Sequence, residues 1–352
     1  MTDLADHGGW PALIGLLLDR NHLTAEQARV AMATILAGDA TPAQLIAFAV
    51  ALRAKGESAE ELSGLLDAVL EAADLVALTD EQRDHAVDIV GTGGDRSHSI
   101  NVSTMAAIVV ASTGTLVCKH GARAASSKCG TADVLEELGV KIELSPRGVR
   151  HCLDTAGIGF CFAPAFHPAF RFAAPARREV GVALVFNLLG PMANPARVRR
   201  QLIGIANPAF AERMLQSLRQ HGSTSAWVVH GNGLDELSTT GVSSVLALQD
   251  GEVRSFTVDP ADHGFARALM EDLEGGEPPE NAAVVRRVLA GERGPHRDIV
   301  VLNAGAALVV AGQAATLDDG IAAAVDAIDS GRAETKLAAF VEASREAVTL
   351  GR

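Results

Sequence analysis

Between residues 10 and 79 the apolar positions recur at helical spacing, as at Leu62, Leu65, Leu66, Val69 and Leu70. Start signals reinforce this pattern. Thr24 stands three residues before Gln27, a capping box in which each side chain answers the other residue's backbone N–H. Thr41 precedes Pro42, a cap followed by proline at the first helical position, where no N–H is needed. No β-rich run precedes Ala86, so residues 1–80 are predicted to form a small all-helical domain. Beyond them the period changes. Short apolar runs at 86–90, 116–118, 158–163, 202–206, 226–230 and 299–302 read as buried strands, with helical patterns at 102–112, 131–138, 145–155 and 209–221 between most of them. Such alternation predicts the α/β class, with a mainly parallel central sheet flanked by helices, over residues 81–352. Residues 245–248 and 253–258, joined around Asp250-Gly251, predict a local hairpin, and residues 317–348 read as helix again. No repeat and no low-complexity linker separates the two domains, so they are expected to pack closely.

Composition narrows the class of function. Hydrophobic residues make up 48% of the 352, aromatics 4%, and Tyr is absent. With a mean hydropathy of +0.19, that is enough apolar material for a substantial core. The net charge of −13 opposes binding to nucleic acid or to an anionic membrane surface, while a locally positive site remains compatible with an anionic substrate. Four scattered cysteines suit a reducing cytoplasm better than zinc or disulfides. The first nine residues are acidic and polar, unlike a signal peptide, and the apolar runs at 106–112 and 299–310 are too short or too interrupted for a bilayer. A soluble, cytoplasmic protein is expected.

Four segments carry candidate chemistry. In the first, a strand ends in Gly91-Thr92-Gly93-Gly94-Asp95 and a helix starts near Asn101-Val102-Ser103-Thr104. Glycines let backbone N–H groups approach an anion, and a helix start adds unpaired donors, so this is either a phosphate cradle or simply a tight strand-to-helix turn. It is not a Walker A loop, which ends in Gly-Lys-Ser/Thr, nor a dinucleotide fingerprint, since Arg96 stands where the third glycine belongs. The second segment, Lys119-His120-Gly121-Ala122-Arg123 followed by Ser126-Ser127-Lys128, follows a predicted strand and fits either a polyanion site or an exposed charged loop. In the third, after another strand, the neighbouring carboxylates Asp235 and Glu236 can face one centre only because they lie in a loop. With phosphate oxygens they would suit Mg²⁺, and otherwise they form a solvated acidic surface. The fourth runs from His167-Pro168 and Arg171 through Arg177-Arg178 to Gly190-Pro191 and Asn194-Pro195, where paired arginines can receive a carboxylate or serve as surface charge.

Together, and in this order, the four segments resemble the anthranilate phosphoribosyltransferase family over nearly the whole chain, to Asp298 and Asn303-Ala304. The resemblance implies transfer of the phosphoribosyl group of phosphoribosyl pyrophosphate to the amine of anthranilate, a step of tryptophan biosynthesis. It implies that Gly91, Thr92, Gly93, Gly94, Asp95, Ser99, Asn101, Val102, Ser103, Thr104, Lys119 and Ser127 bind phosphoribosyl pyrophosphate. It gives Gly91, His120, Gly121, Ala122, His167, Arg177 and Gly190 to anthranilate, with Lys119 and Arg177 as the catalytic pair. Ser103, Asp235 and Glu236 are implied as metal ligands, with about two Mg²⁺ per site. Helices near residues 165–185 are implied to join the helical domain, through which the family forms homodimers. One position departs: the family reads Lys-His-Gly-Asn-Arg where this chain has Ala122. Losing that amide is expected to weaken anthranilate binding by about 1–3 kcal/mol, or else marks a pocket for another aromatic amine or an engineered sequence. Two further readings are open. A pyrimidine nucleoside phosphorylase shares the architecture but carries Lys-His-Ser where Asp88-Ile89-Val90 stands. A non-enzymatic, nucleic-acid-binding relative would show a basic surface and decayed metal residues.

Overall fold

The computed structural model describes residues 3–124 and 127–351, so Ser126 lies outside the described residues. Four helices, Gly9–Leu18, Ala25–Ala37, Pro42–Lys55 and Ala59–Glu71, form the N-terminal unit. Both predicted caps are present. Thr24 Oγ1 accepts from Gln27 N while Gln27 answers Thr24 N, and Thr41 does the same with Gln44 ahead of Pro42.

Seven strands follow: β1 (Val87–Gly91), β2 (Val117–Gly121), β3 (Ile158–Phe162), β4 (Arg200–Gly204), β5 (Ser225–Gly231), β6 (Ser243–Gln249) and β7 (Glu252–Val258). They form one sheet in the order β3-β2-β1-β4-β5-β6-β7. The first five are parallel, and β6 and β7 pair antiparallel as a hairpin. The hairpin turns at Asp250 (φ 52°) and Gly251 (φ 80°), the two positive-φ positions of a type I′ turn. Successive side chains of a strand point to opposite faces, and here the faces feed different cores. Ile203 and Val228 join the core shared with the N-terminal helices, and Leu202 and Trp227 the core under the C-terminal helices. Ala173 and Ala176, near the helix Ala174–Val180, also belong to the helical core.

The run at 299–302 is not a strand. It lies within the helix Pro295–Val310. Its β-branched residues Ile299, Val300 and Val301 imitate a buried strand, but Pro295 starts a helix, and one buried all round shows no polar stripe to reveal its period.

Sheet order positions the site. β2 and β3 lie on one side of β1, and β4 and β5 on the other, so connections leave β1 in opposite directions. A crevice therefore opens outside the carboxyl ends of β1 and β4, the place where open α/β sheets bind ligands.

Candidate active site

Three predicted loops meet in that crevice. After β5 the chain reverses through Asn232 (φ 51°) and Gly233 (φ 96°), and Gly231 and Leu234 exchange backbone hydrogen bonds of 3.0 Å. Leu234 and Leu237 are fully buried, which fixes the two acids between them. The Asp235-Glu236 segment then crosses the ends of three strands, each closing in glycine. A Cβ on Gly204 would strike the Asp235 carbonyl, one on Gly91 the Asp235 carboxylate, and one on Gly231 the Glu236 carbonyl. From the β1 loop, Gly93 N donates to Asp235 Oδ2 at 2.7 Å. That loop crosses to β4 as well: Thr92 N donates to Gly204 O (2.9 Å), and Thr92 Oγ1 accepts from Ala206 N (3.1 Å). Gly93, Gly94, Arg96 and His98 all have positive φ, and for the two non-glycines this is strain of the sort that collects at functional sites. Asp95 accepts from Ser97 N and Oγ, and Ser97 Oγ lies 3.1 Å from Ser99 Oγ.

Lys119 reaches the same place from β2. Only 3% exposed, it donates to Ile89 O and to Ser103 Oγ (3.2 Å), at the start of the helix Val102–Ser112. The Ser103 backbone N–H lies near enough to the Glu236 carboxylate to favour its ionised form, against the burial that opposes it. Asn101, the N-cap, donates to Cys129 O and accepts from Asn281, Val102 N is taken by Ile100 O, and Thr104 donates to Thr131. The electrostatics are those of a desolvated cluster. Burial, with Asp95 beside it, pushes Asp235 up to about 7, and burial with Asp235 alongside pushes Glu236 well above the carboxylate range. Burial pulls Lys119 below its usual value against the attraction of Asp88, Glu236 and Asp235. Among the described residues no three His, Cys, Asp or Glu side chains gather closely enough to cage a metal unaided. A metal here must complete its shell with other oxygens.

A second wall is built from rings. His120 and His167 stand 5.2 Å apart between centroids, His167 and Phe170 5.7 Å, and Phe170 and Phe186 6.1 Å, and the Arg177 guanidinium lies 4.7 Å over Phe186. This chain of rings connects the end of β2 to Arg177. Both histidines are neutral, His120 held well below its usual value and His167 lowered to about 4, chiefly by burial. His120 Nδ1 donates to Gly190 O (3.1 Å), leaving Nε2 as a buried acceptor with no partner among the described residues. His167 Nε2 donates to Ala193 O (2.9 Å). Arg177 is desolvated enough to lower its pKa and has no carboxylate partner among the described residues. A guanidinium in that state is a receptor for an external anion.

Because His167 titrates at about 4 when folded and at about 6.5 when unfolded, the unfolded chain takes up a proton first as pH falls. Stability is therefore lost on acidification, His167 contributing about 2 kcal/mol between pH 7.5 and pH 5. Urea melts at both pH values should show that difference shrinking by this amount in His167→Gln.

Some predicted residues face solvent in this structure. Ser127 and Lys128 are exposed, with Ser127 Oγ donating to Cys129 O (3.4 Å), and Ala122 is exposed, its carbonyl accepting from Ala132 N. Arg123 is taken by Asp133 (2.9 Å) and Glu136 (2.8 Å), so of the basic cluster Lys119 and His120 turn inward among the described residues. Gly121 packs against Phe160 and Thr131. Sequence reasoning missed the network beneath the lysine. Asp88, buried in β1 and pushed up to about 6, accepts from His120 N (3.1 Å) and Asn194 Nδ2 (2.8 Å), and Asn194 also holds Cys118 O. The available signal was a lone carboxylate inside an apolar strand run, a placement proteins avoid without a partner.

Comparisons with known proteins bear on this arrangement. Residues 83–334 match the model of the glycosyl transferase family, a/b domain, and residues 11–73 that of the glycosyl transferase family, helical bundle domain. The anthranilate phosphoribosyltransferase of Rhodococcus jostii (strain RHA1) is 51% identical over 340 residues, 95% of this chain and 92% of that one. The crystal structure of anthranilate phosphoribosyltransferase from Thermus thermophilus superposes with a TM-score of 0.89 at 40% identity, covering 95% of this chain and 99% of that one. The Saccharomyces cerevisiae enzyme, solved in complex with phosphoribosyl pyrophosphate and Mg, gives 0.87 at 27%, covering 96% and 98%. With half of all aligned residues identical to a relative along nearly the full length of both chains, this chain belongs to the anthranilate phosphoribosyltransferase family.

Proposed function

We infer that the chain transfers the phosphoribosyl group of phosphoribosyl pyrophosphate to the amine of anthranilate, releasing pyrophosphate, a pentosyl transfer in tryptophan biosynthesis. The observation that carries this reading is the meeting of Gly93, Lys119 with Ser103, and Asp235 with Glu236 at the topological switch of the sheet, with a ring wall leading from His120 to Arg177, which has no carboxylate partner among the described residues.

The donor side belongs to the loop of Gly91, Thr92, Gly93, Gly94 and Asp95, to Ser99, and to the helix start at Asn101, Val102, Ser103 and Thr104. Lys119, already inside, meets charge that grows on the departing diphosphate without first being desolvated. Two buried carboxylates beside one another keep raised pKa values even with Lys119 nearby, a charge they share with Asp88, and this donor set fits Mg²⁺ completed by phosphate oxygens and water. Asp235 and Glu236 would hold one ion and Ser103 a second. When bound, Mg²⁺ neutralises the diphosphate and makes it a better leaving group.

The acceptor side belongs to the ring wall, with Gly91, His120, Gly121, Ala122, His167 and Gly190 around it. Arg177 receives the carboxylate, and His120 Nε2 accepts an N–H of the amine. An aniline nitrogen is neutral near pH 7, so its lone pair attacks C1 of the ribose without a strong base. Acceleration then rests on holding two substrates in line and on charge stabilisation.

The direct test is turnover with phosphoribosyl pyrophosphate and anthranilate, with and without Mg²⁺, and no product in either condition removes the reading. Arg177→Ala should raise KM for anthranilate about 10- to 100-fold and leave KM for phosphoribosyl pyrophosphate nearly unchanged. Ala122→Asn should lower KM for anthranilate at least about fivefold, while a loss across a panel of aromatic amines would mean the pocket serves another acceptor.

The division near residue 80 belongs to the same reading, with residues 165–185 assigned to the helical side because Ala173 and Ala176 enter its core. So does a cytoplasmic homodimer formed through the helical domain, where Leu18 and Val50 stand exposed on the neighbouring helices Gly9–Leu18 and Pro42–Lys55.

A further inference from the structure

Asn303 sits in the middle of the helix Pro295–Val310, where every other residue from 299 to 308 is apolar or glycine. It is 0% exposed, yet its amide is satisfied: Oδ1 accepts from Leu237 N (2.9 Å), and Nδ2 donates to Leu237 O (2.8 Å) and to Ile299 O (2.8 Å). Bonding both main-chain groups of one residue copies a rung of a β-ladder with a side chain. A leucine would fill similar space without desolvating an amide, so what the amide adds is direction. It fixes where the main chain of Leu237 lies, and Leu237 follows Glu236 directly. On the other side, the glycine ends of β1, β4 and β5 take the same segment without a gap. The Asp235-Glu236 segment is thus clamped between three glycines and one asparagine.

We propose that Asn303 is a positioning residue for the reaction, holding the Leu237 main chain so that the Asp235 and Glu236 carboxylates keep their setting toward Gly93 and Ser103. This rests on reading Asp235 and Glu236 as the metal-holding pair.

The test uses the full chain and measures the Mg²⁺ concentration giving half-maximal turnover, KM for anthranilate at saturating Mg²⁺, and the melting temperature. Asn303→Leu should raise the Mg²⁺ requirement about tenfold or more, as loss of groups supporting metal ligands does elsewhere, with KM for anthranilate little changed. Asn303→Asp, which keeps the acceptor and loses both donors, should shift it in the same direction and decides the question should the leucine variant not fold. Ser344→Ala is the structural comparator, because Ser344 is buried far along the chain, its Oγ accepting from Lys141 N and donating to Val341 O. It should lower the melting temperature and leave the Mg²⁺ requirement alone. A folded Asn303 variant with the wild-type requirement, or an equal shift in Ser344→Ala, overturns the proposal. If the wild type needs no Mg²⁺, or Asp235→Asn/Glu236→Gln leaves the requirement unchanged, the reading of the acidic pair fails instead.

Discussion

Asp235→Asn combined with Glu236→Gln is expected to lower turnover by about 10³-fold or more, because charge stabilisation of this kind is worth several kcal/mol at the transition state. The substitutions are isosteric, so Leu234 and Leu237 remain buried and the loop keeps its path over the strand ends. What changes is charge. In the metal-free protein both carboxylates are held above their usual pKa by burial, with Asp95 beside Asp235 and Asp235 beside Glu236. A folded pKa above the unfolded one means that ionisation costs stability, and for Asp235 the cost builds from about pH 4, where the unfolded carboxylate ionises, and is complete by about pH 7. Without Mg²⁺ at pH 8, the inactive double variant should therefore melt higher than the wild type. Adding Mg²⁺ with phosphoribosyl pyrophosphate should stabilise the wild type by mass action and the variant much less. Lower activity with higher metal-free stability separates a metal-holding pair from a structural one. Equal melting in the two proteins, or retained turnover, would remove the acids from the site.

Much of the frame was legible because it obeys local rules. Thr24 and Thr41 announce their helices by capping, Asp250-Gly251 announces the hairpin, and the five parallel strands appear as short apolar runs. The error at 299–302 arises where those rules lose force, in a helical stretch, residues 299–308, that is buried on every side and opens with three β-branched residues. Site residues divide in the same way. Gly93 and Asp235 stand in loops, and Lys119 and Arg177 in the short elements Val117–Gly121 and Ala174–Val180, where an unusual residue type stands out. Asp88, Asn194, Asn303 and Gly204 act through partners 31 to 106 positions distant, such as Asp88 with His120 and Asn194. No spacing pattern in the chain encodes such pairings, and only the folded sheet brings them together.

Gly204→Ala shows how much rests on a residue with no functional group. Its backbone φ is not positive, so alanine would meet no conformational objection there. The objection is steric: the new methyl would overlap the Asp235 carbonyl and press on Glu236 N, 3.1 Å from the ideal Cβ position. Backbone cannot rotate aside as a side chain can, so the acidic segment must lift from β4. Lifting it breaks the setting of Asp235 Oδ2 against Gly93 N and moves both carboxylates away from Lys119. The stability cost should be about 1–3 kcal/mol, typical of overpacking. The loss of turnover should exceed about 10²-fold, as small misplacements of reacting groups produce. Gly222→Ala supplies the contrast. Gly222 has φ +86° and open space around it, so alanine there costs about 1–2 kcal/mol of backbone strain and displaces nothing at the crevice. Two glycine variants of similar stability should then differ by two orders of magnitude in kcat. If Gly204→Ala turned over like Gly222→Ala, the acidic pair would not need the close approach that Gly204 permits.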